Sequence, residues 1–480
     1  MKRLLFGVIA VVVATAACTH QPKDPIAELQ DPTTCMQCHP QHYTQWSGSM
    51  HAYASQDPVF VAMNNRGQRE AQLGTFCAQC HVPMAVANGR TDFTNFDPTQ
   101  LSPAEDGVTC FFCHNVKAVT ADHNNGLELA MDQTMRGGAQ NPADTPAHDS
   151  AFDPTLMASQ TNQSTMCGSC HDVVTPAGVA LERTYTEWQS TIFAMNDPQK
   201  FLPVTCSGCH MISSTGVIAQ GPGLNVGTRT DGFHDHTLAG IDTAISSFPD
   251  GSDQQNEIET ELEGAIAIVG PTPTGGGAAP GGICVVPENG GELTVRVDSF
   301  QIGHDYPSGT AQDRRAWLEV NAYDGSGNVL LASGVVGSDQ DPEDIDDPMI
   351  NCTSAGSGAC SGFWDRAVEA DGVTPAHFFW QVASETSHLI RPSVTLDANS
   401  PLFDHSTTAV YPLGASIATV DHVEVKLHTR PITYAVLNDL VSSGDLPAMY
   451  ASSIATVEDL GSMKMWTKAT ADPVTGCNPN

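Results

Sequence analysis

Five copies of one pattern, Cys-x-x-Cys-His, crowd the first half of this chain and constrain its fold more than any other feature. They are Cys35-Met36-Gln37-Cys38-His39, Cys77-Ala78-Gln79-Cys80-His81, Cys110-Phe111-Phe112-Cys113-His114, Cys167-Gly168-Ser169-Cys170-His171 and Cys206-Ser207-Gly208-Cys209-His210. The pattern attaches c-type haem. Two thiols three positions apart add to the two vinyl groups of one porphyrin, and the adjacent imidazole then lies beneath the iron as its proximal ligand. Other uses of paired cysteines fit less well. Zinc ribbons take two C-x-x-C units per metal, which leaves one of five over and gives no reason for a His after every second Cys. Redox C-x-x-C motifs stand singly near a βαβ pattern that is absent here. A disulfide framework does not place His with this regularity. The reading is five covalently attached haem c groups, with Cys35, Cys38, Cys77, Cys80, Cys110, Cys113, Cys167, Cys170, Cys206 and Cys209 as attachment residues. His39, His81, His114, His171 and His210 are then the proximal ligands.

The N-terminus sets the expected compartment. Lys2 and Arg3 precede an uncharged run from Leu4 to Ala17, too short to span a bilayer and typical of a signal-peptide core over residues 1–17. It ends in Thr15-Ala16-Ala17-Cys18, similar to the bacterial lipobox whose Cys becomes the acylated N-terminus; Thr15 departs from the pattern, and an ordinary signal peptide with a stray Cys is the alternative. Thr19, where an Asp would retain the protein at the inner membrane, leans toward outer-membrane sorting. Residues 18–33 are polar and proline-bearing and suit a lipidated tether. Of 15 cysteines, ten for haem and one for lipid leave Cys284, Cys352, Cys360 and Cys477. An even remainder in an exported chain favours two disulfides. Four cysteines allow three pairings; Cys352 with Cys360 and Cys284 with Cys477 is the pairing expected.

A second imidazole on an iron makes a low-spin carrier of electrons, whereas an open position admits substrate. The remaining histidines therefore decide the function. Tyr43, Trp46 and Met50 predict a helix over residues 40–54, which sets His51 roughly 18 Å along its axis from His39. His51 can reach a neighbouring iron but not that one. His42, three residues past His39, points from the same side and suits a supporting role.

The stretch Cys35–Ala54, with Tyr43, Trp46, Ser49, His51 and Ala52 after its motif, resembles the opening of the multihaem cytochromes of the c-552/c-554 class. Gly107-Val108-Thr109 before Cys110, Glu187-Trp188 after the fourth motif, and His236-Thr237-Leu238-Ala239-Gly240 are similar to further landmarks, over about residues 34–245. The resemblance implies His51 and His236 as distal ligands. His148, ahead of the fourth motif, is similarly placed to a distal ligand in these cytochromes, and His123 in a polar loop is a weaker candidate. His234, two residues from His236, reads as a spectator. Gly303-His304-Asp305-Tyr306-Pro307-Ser308-Gly309, followed by Arg314, Arg315 and Trp317, resembles a segment found after the haem domain in many multihaem cytochromes, with Ser308 where Thr is usual. It implies His304 as a ligand reaching across a domain boundary. No C-x-x-C-K occurs, so a lysine-ligated catalytic haem is not indicated.

After the haem segment, 34–248, an acidic and then Pro/Gly-rich stretch, 249–284, reads as a linker. Beyond it the hydrophobic period becomes two: Leu293, Val295 and Val297; Leu318, Val320 and Ala322; Val423, Val425 and Leu427. Asp324-Gly325-Ser326-Gly327-Asn328 reads as a hairpin turn. Residues 285–430 are expected to form an immunoglobulin-like β-sandwich, followed by a C-terminal helix and tail over 431–480. The fold class expected is α+β, a helical and loop-rich haem domain followed by the sandwich. The formal charge of −34, with 54 Asp and Glu against 20 Lys and Arg, excludes a nucleic-acid partner. Loss of Lys2 and Arg3 takes −34 to −36, which favours basic redox partner proteins or a saline habitat. The function implied is relay of electrons among mostly bis-His haems, in anaerobic respiration or electron export. A reductase or oxidase of a small nitrogen or sulfur compound with one open haem, and a homo-oligomeric conductive filament, are the alternatives.

Overall fold

The computed structural model describes residues 25–142, 145–156, 161–195, 203–221, 224, 226–248, 251–270, 281–287, 290–299, 301–351, 360–454, 456–459 and 463–478. The signal segment, Cys18 and Cys352 lie outside them. The fold is α+β, with short helices and two-stranded ribbons in the first half and two facing sheets in the second.

Prolines open many of the short helices. Pro32–Cys35, Pro40–Ser47, Pro58–Ala71 and Pro83–Ala87 each begin on the one residue that loses nothing by lacking an amide proton there. Four haem motifs are single helical turns, Ala78–His81, Cys110–His114 and Cys206–His210, or end a longer helix, Thr161–His171, while the first runs on as a turn from helix Pro32–Cys35. In a helical turn residues i and i+3 share a face, so the two thiols of each motif point the same way. The helix expected over 40–54 is broken. It stops at Ser47 and restarts as Met50–Tyr53, because Ser49 turns its hydroxyl onto the Ala52 amide as an N-cap.

Part of the expected tether is folded. Helix Pro25–Gln30 buries Leu29 beside Met84, Phe111 and Phe112, anchoring the chain before the first motif. The expected linker is also largely structured. Helix Gly251–Ala265 places Ile258 and Leu262, one turn apart, in the sandwich core, and Ala267–Ile268 pairs with Glu292–Asp298. Its acidic residues cover the solvent side of an amphipathic helix, which composition alone reads as a flexible run.

In the sandwich, Glu292–Asp298 lies between Ile283–Val286 and Thr407–Pro412 in one sheet. Arg315–Asp324 and Val420–Arg430 pair along their lengths at the centre of the other. Leu293, Val295, Ala409 and Tyr411 from the first sheet meet Leu318, Val320, Val423, Val425 and Leu427 from the second in one core. Each fully buried Val or Leu stabilises the fold by about 1.5–3 kcal/mol. The 324–328 turn forms as read, with Asp324 and Asn328 closing it. Helix Tyr434–Ser442 follows, capped by Thr433. The segment expected as a tail is part of the sheet: Lys464–Thr467 pairs with Val420–Arg430, and Cys477 is disulfide-bonded to Cys284. Cys360 is also disulfide-bonded.

The two halves pack closely. Ala62 of the 58–71 helix is buried with Phe378, Val436, Leu437 and Leu440. Arg183, from the haem half, reaches Asp365 at 2.7 Å and also pairs with Glu385. Among the described residues no helix is long and apolar enough to cross a membrane.

Candidate haem site

A cavity of about 1680 Å3 runs through the first half and is closed on one side by residues 301–314 of the second. All five motif histidines line it, with His42, His51, His148, His234, His236 and His304. Their rings are grouped in a definite way. His39 and His148 have centroids 6.3 Å apart and planes at 25°; His114 and His236, 6.3 Å and 19°; His210 and His304, 6.4 Å and 13°; His51 and His171, 6.0 Å and 78°. These distances are too long for ring contact. Two imidazoles bound to one metal at about 2.0 Å each have centroids about 6.3 Å apart, so the spacing is that of rings facing each other across an iron.

Hydrogen bonds fix which nitrogen faces the gap. Nδ1 meets a backbone carbonyl in His39 (Ile218, 2.7 Å), His114 (Arg136, 2.5 Å), His210 (Ala239, 2.8 Å), His148 (Asp149, 3.0 Å), His236 (His234, 2.9 Å) and His304 (Asp305, 2.8 Å). A proton held on Nδ1 leaves the Nε2 lone pair for a metal. Burial disfavours charge on several of the cavity rings: it lowers His39 and His114 and pushes His51 and His236 down to about 3 and His304 to about 4. Charging any of them would also repel its buried imidazole neighbours. His51 Nδ1 is buried without a partner.

The chain positions His51 with care. Val108 donates its amide to the His51 carbonyl at 2.8 Å, and Trp46 Nε1 donates to the Val108 carbonyl at 2.8 Å. Gly107, at φ +77°, lies so close that a Cβ would stand 2.7 Å from that carbonyl oxygen. The Gly-Val-Thr segment thus acts as a clamp on the turn that carries His51. His304 is held likewise from the second domain, where Glu187 accepts from Ser308 Oγ at 2.6 Å and from the Asp305 amide at 3.2 Å. Ser308 supplies the hydroxyl that the more usual Thr would.

His81 differs. Its Nδ1 meets the Ala54 carbonyl at 3.3 Å, and its ring lies flat on Phe60 at 4.3 Å and 3°. Among the described residues no imidazole stands across from it at the spacing of the other four. The candidate His123 is not brought there. It is exposed and paired with Asp122 at 3.0 Å, because the inward positions of its loop are taken by Asn124 and Asn125, which bond the Val174 and Gln79 carbonyls. His42 sits edge-on to His236 at 4.7 Å, a supporting place as expected.

Thiols of different motifs adjoin. Cys35 adjoins Cys110, Cys80 adjoins Cys170, and Cys167 adjoins Cys206, while Cys113 lies near Cys170. The motifs are therefore neighbours in the order first, third, fourth, fifth, with the second branching from the fourth. Nine of the ten motif cysteines carry free thiols, and Cys38 is disulfide-bonded. The paired imidazoles, the aligned thiols and the apolar walls fit haem c: the Cys pairs would hold the porphyrins and the imidazoles their irons.

Residues 34–115 match the family model described as cytochrome c554 and c-prime. The fold is similar to the crystal structure of a penta-heme cytochrome c552 from Thermochromatium tepidum, with a TM-score of 0.59 and 18% identity over 92% of this chain and 100% of that one. No curated protein matches the chain in sequence. The repeated attachment motif, the imidazole geometry, the model matched over residues 34–115 and the shared fold all support a multihaem c-type cytochrome with covalently bound haem c.

Proposed function

We propose that this chain is an exported pentahaem electron carrier, lipidated at Cys18 and held at a membrane surface facing the periplasm or the medium. The carrying observation is that four motif imidazoles each face a distal candidate at 6.0–6.4 Å; His42 is also 6.1 Å from His39, but it follows that residue by three positions and points from the same side. Haem supplies the one-electron ferric/ferrous couple; the chain's residues fix ligation and neighbours. Iron clamped by His on both sides changes its coordination little between the two states, which favours fast transfer over bond-making chemistry. In this reading His39 faces His148, His171 faces His51, His114 faces His236 and His210 faces His304. Electrons pass along the first, third, fourth and fifth motifs. The acidic surface favours a basic docking partner, whose exchange with this chain weakens as salt rises. Electron paramagnetic resonance of the oxidised protein tests the ligation: four low-spin irons are expected, and fewer than three refutes it.

The isolated His81 favours a second reading. An iron held there without a facing imidazole binds a small ligand, as a reductase or oxidase of a small nitrogen or sulfur compound requires. Carbon monoxide binding to the reduced protein at one haem in five supports this role, and no binding rejects it.

A further inference from the structure

A second cavity, of about 250 Å3, is lined wholly by residues of the second half, and none of them lines the haem cavity. Trp364 forms part of its wall, with two guanidinium groups beside the one indole: Arg315 Cζ stands 4.9 Å from a ring centroid and Arg366 Cζ 5.9 Å. The two arginines differ. Arg315 is fully used: Nε and Nη2 meet Glu343 Oε1 at 2.5 Å, and Nη1 donates to the Gln312 and Arg314 carbonyls at 3.0 and 2.6 Å. Arg366 stands on strand Asp365–Val368, opposite Thr386, and among the described residues its guanidinium has no hydrogen bond or ion pair. Residues 352–359, which follow the wall residue Asn351 and lie outside the described residues, contain no Asp or Glu to serve it.

The same wall holds an unused acceptor. Gln312, 4% exposed, donates Nε2 to Asp313 at 3.2 Å, while its Oε1 is buried without a donor. A buried polar group left so costs free energy that an incoming donor recovers. The charges around the cavity are otherwise engaged. Glu343 is taken by Arg315, Asp365 and Glu385 share Arg183, and His377 stands 3.8 Å from Asp313. The general acidity of the chain is screened beyond about 8 Å in physiological salt, so this local pattern decides what enters. The volume is below the roughly 300–1,000 Å3 of sites for drug-sized molecules, which limits a ligand to a few heavy atoms.

We propose that this cavity binds a small carboxylic acid carrying a hydroxyl or amino group, its carboxylate on the Arg366 guanidinium and its second group donating to Gln312 Oε1. A guanidinium offers a carboxylate two parallel donors from one planar edge. The short carbon chain of the ligand would rest on Val368, Val373 and Pro375, the apolar part of the wall. The site owes nothing to haem ligation, so it stands or falls separately from the reading of the imidazole pairs. Asp365 both borders the cavity and accepts from Arg183 of the haem half, so the ligand would lie against the joint between the halves.

Isothermal titration calorimetry of the full haem-loaded protein tests this with four probes of similar size: lactate, alanine, propionate and lactamide. The tighter of lactate and alanine should bind about fivefold better than propionate, which keeps the carboxylate and lacks the donor. Lactamide, which keeps the hydroxyl and lacks the charge, should bind more than about tenfold worse than lactate. Arg366→Gln should weaken the tighter probe about tenfold, and Gln312→Met should bring it to the affinity of propionate. No saturable heat from lactate or alanine at about 10 mM, where a site with Kd about 1 mM is mostly filled, overturns the proposal. So does propionate binding as tightly as both, or an unchanged affinity in Arg366→Gln. Should Arg366→Gln lose haem, the wild-type comparison decides: a tenfold gap between lactate and lactamide supports the proposal, and equal affinities overturn it.

Discussion

Arg183→Met attacks the joint between the two halves. Three carboxyls surround this guanidinium: Asp365 at 2.7 Å, Glu385 in direct contact, and Glu187 at 3.8 Å. Their side chains are 0%, 16% and 8% exposed, so the cluster is screened little by water. One guanidinium does not balance three anions. Burial pushes Glu385 up to about 7, helped by Asp365 and opposed by Arg183; burial also pushes Glu187 up to about 8. Arg183 keeps its charge, and Glu187, pushed highest, surrenders its charge first, followed by Glu385. Removing one partner of a buried pair costs about 3–5 kcal/mol, because the survivor stays uncompensated. At pH 8 that full cost is expected. At pH 5 the orphaned carboxyls take up protons, and the cost falls to about 1–3 kcal/mol, that of a buried polar group without a partner. The linkage sign in wild type agrees: a carboxyl whose folded pKa is raised contributes stability below its unfolded pKa and loses it as pH rises through about 7. Guanidinium unfolding at pH 5 and 8, followed by tryptophan fluorescence and haem absorbance, measures both numbers. A loss below about 1 kcal/mol at pH 8, or equal losses at the two pH values, refutes the reasoning.

Other outcomes follow from the same structure. His148→Gly leaves the ring 6.3 Å from His39 without its counterpart, so one low-spin signal should become high-spin while haem content holds; an unchanged spectrum denies His148 the role. The His51–His171 planes cross at 78° whereas the other pairs lie within 25° of parallel, so one low-spin signal should show a markedly larger maximum g value than the other three. Four alike would contradict the ring geometry. Cys284→Ser with Cys477→Ser opens a bridge spanning 193 residues and should cost about 5 kcal/mol on the chain-entropy account, read by chemical unfolding. A cost under about 1 kcal/mol would show that strand pairing alone holds the C-terminus.

The attachment motifs were legible because covalent chemistry fixes them locally: the vinyl spacing dictates the Cys separation wherever the motif sits. The sandwich strands were legible for a similar reason, since alternation at Leu293–Val297, Leu318–Ala322 and Val423–Leu427 is set by the pleat. Composition misled where packing decides. The acidic stretch 251–265 has the content of a linker, but the core takes up Ile258 and Leu262; the C-terminal segment reads as a tail until Lys464–Thr467 finds the edge of a long strand. The same limit governs ligand pairing. Sequence supplied His51, His148, His236 and His304 as candidates, yet which proximal imidazole each one faces depends on contacts between segments up to 122 residues apart, from His114 to His236. It also misplaced His123, because the asparagines beside it claim the inward positions of the loop. The amino-acid sequence by itself determined haem c as the cofactor and the α+β architecture, both properties of local spacing. Only the tertiary structure decided which imidazole each of His51, His148, His236 and His304 faces and, among the described residues, the isolation of His81, because these depend on distance in space, which chain order does not record.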